Sequence, residues 1–309
     1  MLKDSVRTRA YQHAIERNPH LFAGKVVLDV GCGTGILSLF AARAGAAHVY
    51  GIECSAIAEQ AAAIVRDNGY ADRVTIIRGK VEEVDLPGVT GRGVDIIISE
   101  WMGYFLLYES MLDTVIHARD KWLAPGGILL PDTATLYVAG IEDAEYRAEK
   151  LDFWDDVYGF DMRAIKALAV GEPLVDVVEP DQVATSVATL RTFDIGTMTK
   201  EDAAFTASFE LTAARNDYVH ALVAFFDVSF TACHTPVRFS TGPASRPTHW
   251  KQTVLYLDST VTLCEGEALA GTLACAPNPA NPRDLDICLT YEAAGRRGKA
   301  AGSQQFKMR

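Results

Sequence analysis

Up to Pro131, apolar residues come in short unbroken runs rather than in alternation. VVLDV (26–30), HVYGIE (48–53), VTIIRG (74–79) and VDIIIS (94–99) read as strands buried on both faces, the texture of a parallel sheet. Between them, ILSLFAARAG (36–45) and SAIAEQAAAIVRDNG (55–69) carry helical apolar spacing. They close on Gly45 and Gly69, residues suited to the left-handed position after a helix, and Ser55 is the expected N-cap of the second. Residues 110–122 predict a third helix, closed by APGG (124–127). This strand–helix rhythm predicts an α/β fold with a doubly wound sheet.

Beyond Pro131 the pattern changes. TATLYVAGI (133–141), DQVATSVATL (181–190), AAFTASFELTA (203–213), HALVAFFDVSFTA (220–232) and KQTVLYLDSTVTL (251–263) have strand-like content, punctuated by Gly, Pro, Asn and Asp. They predict an antiparallel sheet or β-barrel, so the chain divides into domains at 1–131 and 132–309. One helical insertion, EDAEYRAEKLDFWDDVYGFDMRAIKAL (142–168), is rich in aromatics. Its Trp154, Tyr158 and Phe160 fit either a core or an exposed arm that needs a partner surface. The more basic end, GRRGKAAGSQQFKMR (295–309), predicts a loosely held tail.

Composition adds limits. The chain of 309 residues is 49% hydrophobic and 22% charged, with a formal net charge of −11. An acidic surface repels phosphate backbones and favours cationic partners, so direct nucleic-acid binding is not expected. No run of 18 apolar residues implies a membrane helix. MLKDSVRTRAYQH lacks the apolar core of a signal peptide. None of the six cysteines forms a CxxC pair, and a reduced intracellular protein is the expectation.

Two stretches carry chemistry. VLDVGCGTG (27–35) ends a strand and opens a helix, and its glycines let a ligand approach backbone amides at the helix N-terminus. A dinucleotide fingerprint, GxGxxG, wants its third glycine where Ile36 stands, which disfavours a dehydrogenase. Glu53 ends the next strand, where a carboxylate can accept from both ribose hydroxyls. Glu82 follows the third strand, placed for an adenine amino group. The second stretch, SEWMGYFLLYES (99–110), holds Glu100 and Glu109 nine positions apart. Neither a helix nor a strand puts residues so spaced on one face. They meet only if the chain reverses, for which Gly103 offers a positive φ. Two carboxylates converging among apolar residues imply a cation between them.

The glycine loop and the order of acids resemble those of class I S-adenosylmethionine-dependent methyltransferases. SEWMGYFLLYES and PTHWKQT (247–253), together with VYGFD, RNDYVHALVAFF and PRDLD, resemble the protein arginine methyltransferases, in particular the type I enzymes. The likeness runs from Met1 to about Asp286. It implies a Rossmann-like cofactor domain followed by a β-barrel-like domain with a dimerisation arm at about 142–165. It implies S-adenosyl-L-methionine as cofactor, S-adenosyl-L-homocysteine as product, and no metal. It assigns Asp29, Gly31 and Gly33 to the cofactor's amino-acid end, Glu53 to the ribose, Glu82 to the adenine and Arg7 to the methionine carboxylate. Glu100 and Glu109 would grip the acceptor arginine. His249, paired with Asp4, would relay a proton or tie the domains together, and Trp250 would line the acceptor pocket. Met111 would also lie against the cofactor, and Met1 and Met111 would bound the room for a second methyl.

Further implications are a homodimer, Gly/Arg-rich protein substrates with histones as another candidate class, and a cytoplasmic and nuclear location. An aromatic segment that precedes the residue matched by Met1 in the family, and closes over the cofactor, is expected to be absent. A lengthening near Thr90–Gly93 is expected to be a surface loop.

Guanidinium chemistry agrees with the assignment. The group is planar, permanently charged and rich in donors, and each carboxylate can accept a forked pair from it. Two rivals stay open on the residues alone: a small-molecule methyltransferase, and a non-catalytic scaffold that binds basic proteins.

Overall fold

The computed structural model describes residues 1–309 except Thr90 and Arg92, so part of the expected 90–93 loop lies outside the described residues. Among the described residues no helix is long and apolar enough to cross a membrane. The chain opens with α1 (Ser5–Glu16) and the short α2 (Pro19–Phe22). Then β1 (Val26–Val30), α3 (Ile36–Arg43), β2 (His48–Glu53), α4 (Ile57–Asp67), β3 (Val74–Arg78), β4 (Val94–Ser99), α5 (Leu112–Trp122) and β5 (Leu123–Leu130) form the α/β unit. Its strands are parallel, in the order β3-β2-β1-β4-β5. Val27, Leu28, Val30 and Ile96–Ile98 are buried, which explains why these strands read as apolar runs. Gly45 and Gly69 follow α3 and α4 at φ +97° and +75°, as helix stops do. Ser55 does not cap α4. The cap position is Ala56, because the Ser55 amide is held by Glu53 Oε1 at 2.8 Å instead.

The second unit is antiparallel. It contains β6 (Thr133–Ile141), β7 (Leu174–Asp176), β8 (Val183–Asp194), β9 (Phe205–Thr212), β10 (Asp217–Phe230), β11 (Val237–Ser240), β12 (Gln252–Leu263), β13 (Ala268–Pro277), β14 (Leu285–Gly295) and β15 (Gly298–Met308). One sheet runs β7-β12-β10-β6-β8 with β11 on β10, and the other runs β15-β14-β13-β9. They touch through β8 with β9 and through β12 with β15, giving the barrel-like wrap.

The expected loose tail is instead β15, paired with β14 from Leu285↔Met308 to Gly295↔Gly298. Gln304, Phe306 and Met308 alternate inward. The buried Gln304 amide accepts from Asp258 N at 3.0 Å and donates to Tyr256 O at 3.1 Å. A polar residue on the inner face hid the period of two from the sequence pattern.

The arm leaves β6 as broken helical turns and ends in a helix at Arg163–Val170, somewhat beyond the expected limit. Its root is fastened by Arg147, which donates to Leu257 O at 2.7 Å and Asp258 O at 3.0 Å, and by Tyr146 stacked on Tyr256. Its aromatics are mostly exposed rather than core. Leu151 and Val157 are buried, while Tyr158 is 95%, Phe160 68% and Leu168 66% exposed. Trp154 is only partly covered.

Candidate active site

The site is built on α1, the carboxyl ends of β1, β2 and β4, and the Thr248–Trp250 loop of the second unit. Asp4 caps α1, its Oδ1 accepting from Arg7 N at 3.0 Å. Asp4 Oδ2 accepts from His249 N at 2.9 Å and lies 2.7 Å from His249 Nδ1. Further along, Cys233 Sγ contacts Ala14 O at 3.5 Å, and Asn18 Oδ1 accepts from His234 N at 3.0 Å. The helix is therefore a wall shared by both units. Burial pushes the Asp4 carboxyl up, but the His249 and Arg7 amides outweigh it and hold it below the usual range. Burial lowers the His249 imidazole more than Asp4 raises it, which favours the neutral ring.

Glu100 begins the loop after β4. It is 8% exposed, and its Oε2 accepts from Arg7 Nη2 at 3.1 Å. Burial lifts its carboxyl to about 7, against the opposing pull of Arg7. Arg7, expected on a cofactor carboxylate, is thus also the partner of Glu100. Among the described residues its buried Nε has no partner.

Glu109 turns outward. Its side chain is 52% exposed, with Arg283 Nη2 at 3.9 Å from its Oε1. The physical reason is charge: one buried cation already satisfies Glu100, and a second buried carboxylate without its own cation would cost several kcal/mol. The reversal is real, but Gly103 is not where the left-handed backbone falls. Positive φ occurs at Phe105 (51°), Leu106 (66°) and Glu109 (52°). Gly103 is needed for space, since a Cβ there would stand 1.6 Å from Tyr108 O.

Trp250 is also misplaced by the sequence reading. It is 3% exposed, stacked on Phe239, and donates from Nε1 to Met102 O at 3.0 Å. It braces the carboxylate loop from below rather than lining a pocket, because a buried indole N–H must find an acceptor.

On the cofactor side, Gly31 and Gly33 have φ of +70° and +54°. Glu53 Oε2 accepts from Gly33 N at 3.0 Å. Burial raises the Glu53 carboxyl, yet the Ser55 and Gly33 amides hold it below its usual range. Met111 lies over the loop, and a Cβ on Gly31 would stand 2.4 Å from its Cε. Glu82 is exposed after β3 and accepts from Thr114 Oγ1 of α5 at 3.0 Å. Asp29 is fully buried, its Oδ2 accepting from Ser38 Oγ at 2.6 Å. Its other oxygen, Oδ1, is buried with no partner among the described residues. Burial lifts its carboxyl to about 6, with Ser38 pulling the other way.

An unpartnered carboxylate oxygen and an unpartnered guanidinium nitrogen suit a ligand that carries both an ammonium and a carboxylate. The amino-acid end of S-adenosylmethionine has both, so the residues fit that cofactor. The sequence reading missed Ser38, Arg283 and Tyr11. Only Tyr11 left a signal, its helical spacing of four from Arg7.

A five-stranded parallel sheet in this order, a glycine loop after β1 and an acid at the end of β2 define an S-adenosylmethionine-dependent methyltransferase. A methyltransferase domain model matches residues 27–127, and the arginine methyltransferase oligomerization subdomain matches residues 132–296. Protein arginine N-methyltransferase 1 of Chlamydomonas reinhardtii is 64% identical over 309 residues, 100% of this chain and 89% of that protein. Its namesake from Oryza sativa subsp. indica is 58% identical, over 100% of this chain and 79% of that protein. Among solved structures, the Trypanosoma brucei PRMT1 enzyme–prozyme heterotetrameric complex with AdoHcy aligns at a TM-score of 0.97 with 51% identity. That alignment covers 100% of this chain and 96% of that one. Arabidopsis thaliana protein arginine methyltransferase 10, solved in a uniquely open conformation, aligns at 0.88 with 30% identity, covering 100% of this chain and 96% of that one. The chain belongs to the protein arginine N-methyltransferase family. It is an S-adenosylmethionine-dependent enzyme that methylates arginine in proteins.

Proposed function

We propose that this chain is a type I enzyme, producing mono- and asymmetric dimethylarginine in Gly/Arg-rich proteins, with histone tails as a further substrate class. The observation that carries the reading is buried Glu100 already holding a guanidinium, that of Arg7, at 3.1 Å. A site that accommodates one guanidinium in low dielectric has the shape and charge for another. S-adenosylmethionine supplies an electrophilic methyl when bound. The chain's own residues do the rest. Glu100 grips the acceptor guanidinium. Glu109, freed from its loose contact with Arg283, swings in as the second acceptor once the arriving cation makes its burial favourable. Both carboxylates draw positive charge toward the nitrogens they touch, leaving the remaining nitrogen more nucleophilic. Orientation of this kind is worth up to roughly 7–11 kcal/mol. Met111, over Gly31, bounds the space beside the methyl.

Incubating the full chain with labelled cofactor and an Arg-Gly-Gly peptide, then identifying the product by mass spectrometry, tests the reading. Asymmetric dimethylarginine is expected. A folded protein that leaves arginine unlabelled, or yields only the symmetric isomer, overturns it.

The pH profile follows from Glu100. Its carboxyl, lifted to about 7 in the free enzyme, must be ionised to grip a cation. Protonation removes the competent form, so kcat/KM falls about tenfold per pH unit below that value. In the complex a bound cation lowers the same pKa, so the limb in kcat lies at lower pH.

The reading includes a homodimer through the arm, in the cytoplasm and nucleus. Phe160 and Leu168 expose large apolar surfaces that a partner would cover. Replacing both by Ser removes about 3–6 kcal/mol of apolar burial. The dimer dissociation constant should rise by about 10²–10⁴-fold. Light scattering across a dilution series measures this, and an unaltered dimer mass would remove the arm from the interface.

A further inference from the structure

Tyr11 lies one helical turn after Arg7 on α1 and is fully buried. Its hydroxyl donates to Ser99 O at 2.8 Å. Ser99 is the last residue of β4 and precedes Glu100 directly, and its own hydroxyl donates to Val30 O at 2.9 Å. The Tyr11 ring packs edge-on against Phe230 of β10 at 4.9 Å between centroids, and the Arg7 guanidinium lies 5.7 Å from the ring centre. The same face of one helix thus reaches the Glu100 carboxylate through Arg7 and the peptide leading into Glu100 through Tyr11.

These contacts divide the labour. The Arg7 contact can be exchanged, since a guanidinium from outside could replace it on Glu100. The Tyr11 contact cannot be exchanged so, because Ser99 is 2% exposed and Tyr11 is fully buried. We propose that Tyr11 is a positioning residue for the methyl transfer: its hydroxyl fixes the Ser99–Glu100 peptide and so aims the Glu100 carboxylate. The proposal rests on the reading of Glu100 as the acceptor's anchor.

The hydroxyl does what packing alone does not. Tyr11→Phe keeps the ring, its edge contact with Phe230 and the fill of the core, and deletes only the donor. The peptide plane is then free to tilt by a hydrogen bond's latitude, and Glu100 with it. Looser packing around Glu100 admits water, which lessens the desolvation of its carboxylate.

A double-mutant cycle on the full chain tests this, with Tyr11→Phe, Glu100→Gln and the pair assayed on an Arg-Gly-Gly peptide. Tyr11→Phe is expected to lower kcat about tenfold while S-adenosylhomocysteine affinity, read by calorimetry, changes by less than about twofold. The acid limb of kcat/KM should move to lower pH, toward that of an ordinary carboxylate. In the Glu100→Gln background the same change should cost less than about twofold. Equal losses in both backgrounds, an unchanged kcat, or a parallel loss of S-adenosylhomocysteine affinity would each overturn the role of Tyr11. Full activity in Glu100→Gln alone would instead overturn the reading of Glu100, so the two failures are told apart.

Discussion

Glu100→Gln is expected to lower kcat by about 10²–10³-fold, the effect of removing one preorganised charge from a transition state, about 3–4 kcal/mol. The substitution keeps volume and one acceptor but removes the charge that a guanidinium pairs with. Arg7 Nη2 would then lose its ionic partner inside the protein, while its Nε has none among the described residues. The folded state need not suffer much, because the ionised carboxylate is itself costly where it stands, its pKa being lifted to about 7. Kinetics on an Arg-Gly-Gly peptide, with S-adenosylhomocysteine binding and a thermal melt on the same preparation, check this. A fall in turnover with the melting temperature within a few degrees of the parent is the expected pattern. Retained turnover would mean that the acceptor is held elsewhere.

Gly103→Ala should be nearly as severe, for a different reason. The new methyl would meet Tyr108 O at 1.6 Å, Tyr108 C at 2.7 Å and Ser110 N at 3.1 Å, all backbone and none able to swing aside. The reversal is held by Gly103 N to Leu106 O and Tyr108 N to Tyr104 O, both at 2.9 Å, and these must open to admit the group. Overpacking of this sort costs about 1–3 kcal/mol. The melting temperature should fall by about 2–10 °C. Displacing the loop by about an ångström should cost on the order of a hundredfold in turnover. Steady-state kinetics beside a melting curve measure both. Parent-like kcat would show that the close approach of the two limbs is dispensable.

Much of this could be read from the residues. Four of the five strands of the parallel sheet, β1 to β4, were legible because apolar side chains dominate each of them with few polar interruptions. Glu53 was legible because a fold of this order puts an acid at the end of β2 beside the glycine loop. The Asp4–His249 contact came only through family likeness, since no local rule joins residues 245 positions apart.

The outward turn of Glu109 was not legible. Phe105, Leu106 and Glu109 take left-handed backbone that their side chains disfavour, and only the surrounding contacts impose it. The place of Trp250 was not legible either: family likeness suggested a pocket lining, whereas the indole is 3% exposed and donates to the Met102 carbonyl. The strand β5 escaped because APGG looks like a stop, yet Leu123–Leu130 continues as an edge strand alongside β4.

The final strand also reaches the arm. Lys307 N donates to Gly171 O at 2.9 Å, immediately after the helix that ends the arm, and Gln304 secures the same β12 carbonyl region that Arg147 grasps. The C-terminus is therefore a buttress beneath the protruding arm. Trimming a few residues with a carboxypeptidase would leave the catalytic crevice chemically intact while undermining the platform that presents Phe160 and Leu168, so the assembly proposed for the arm should fail before methyl transfer does.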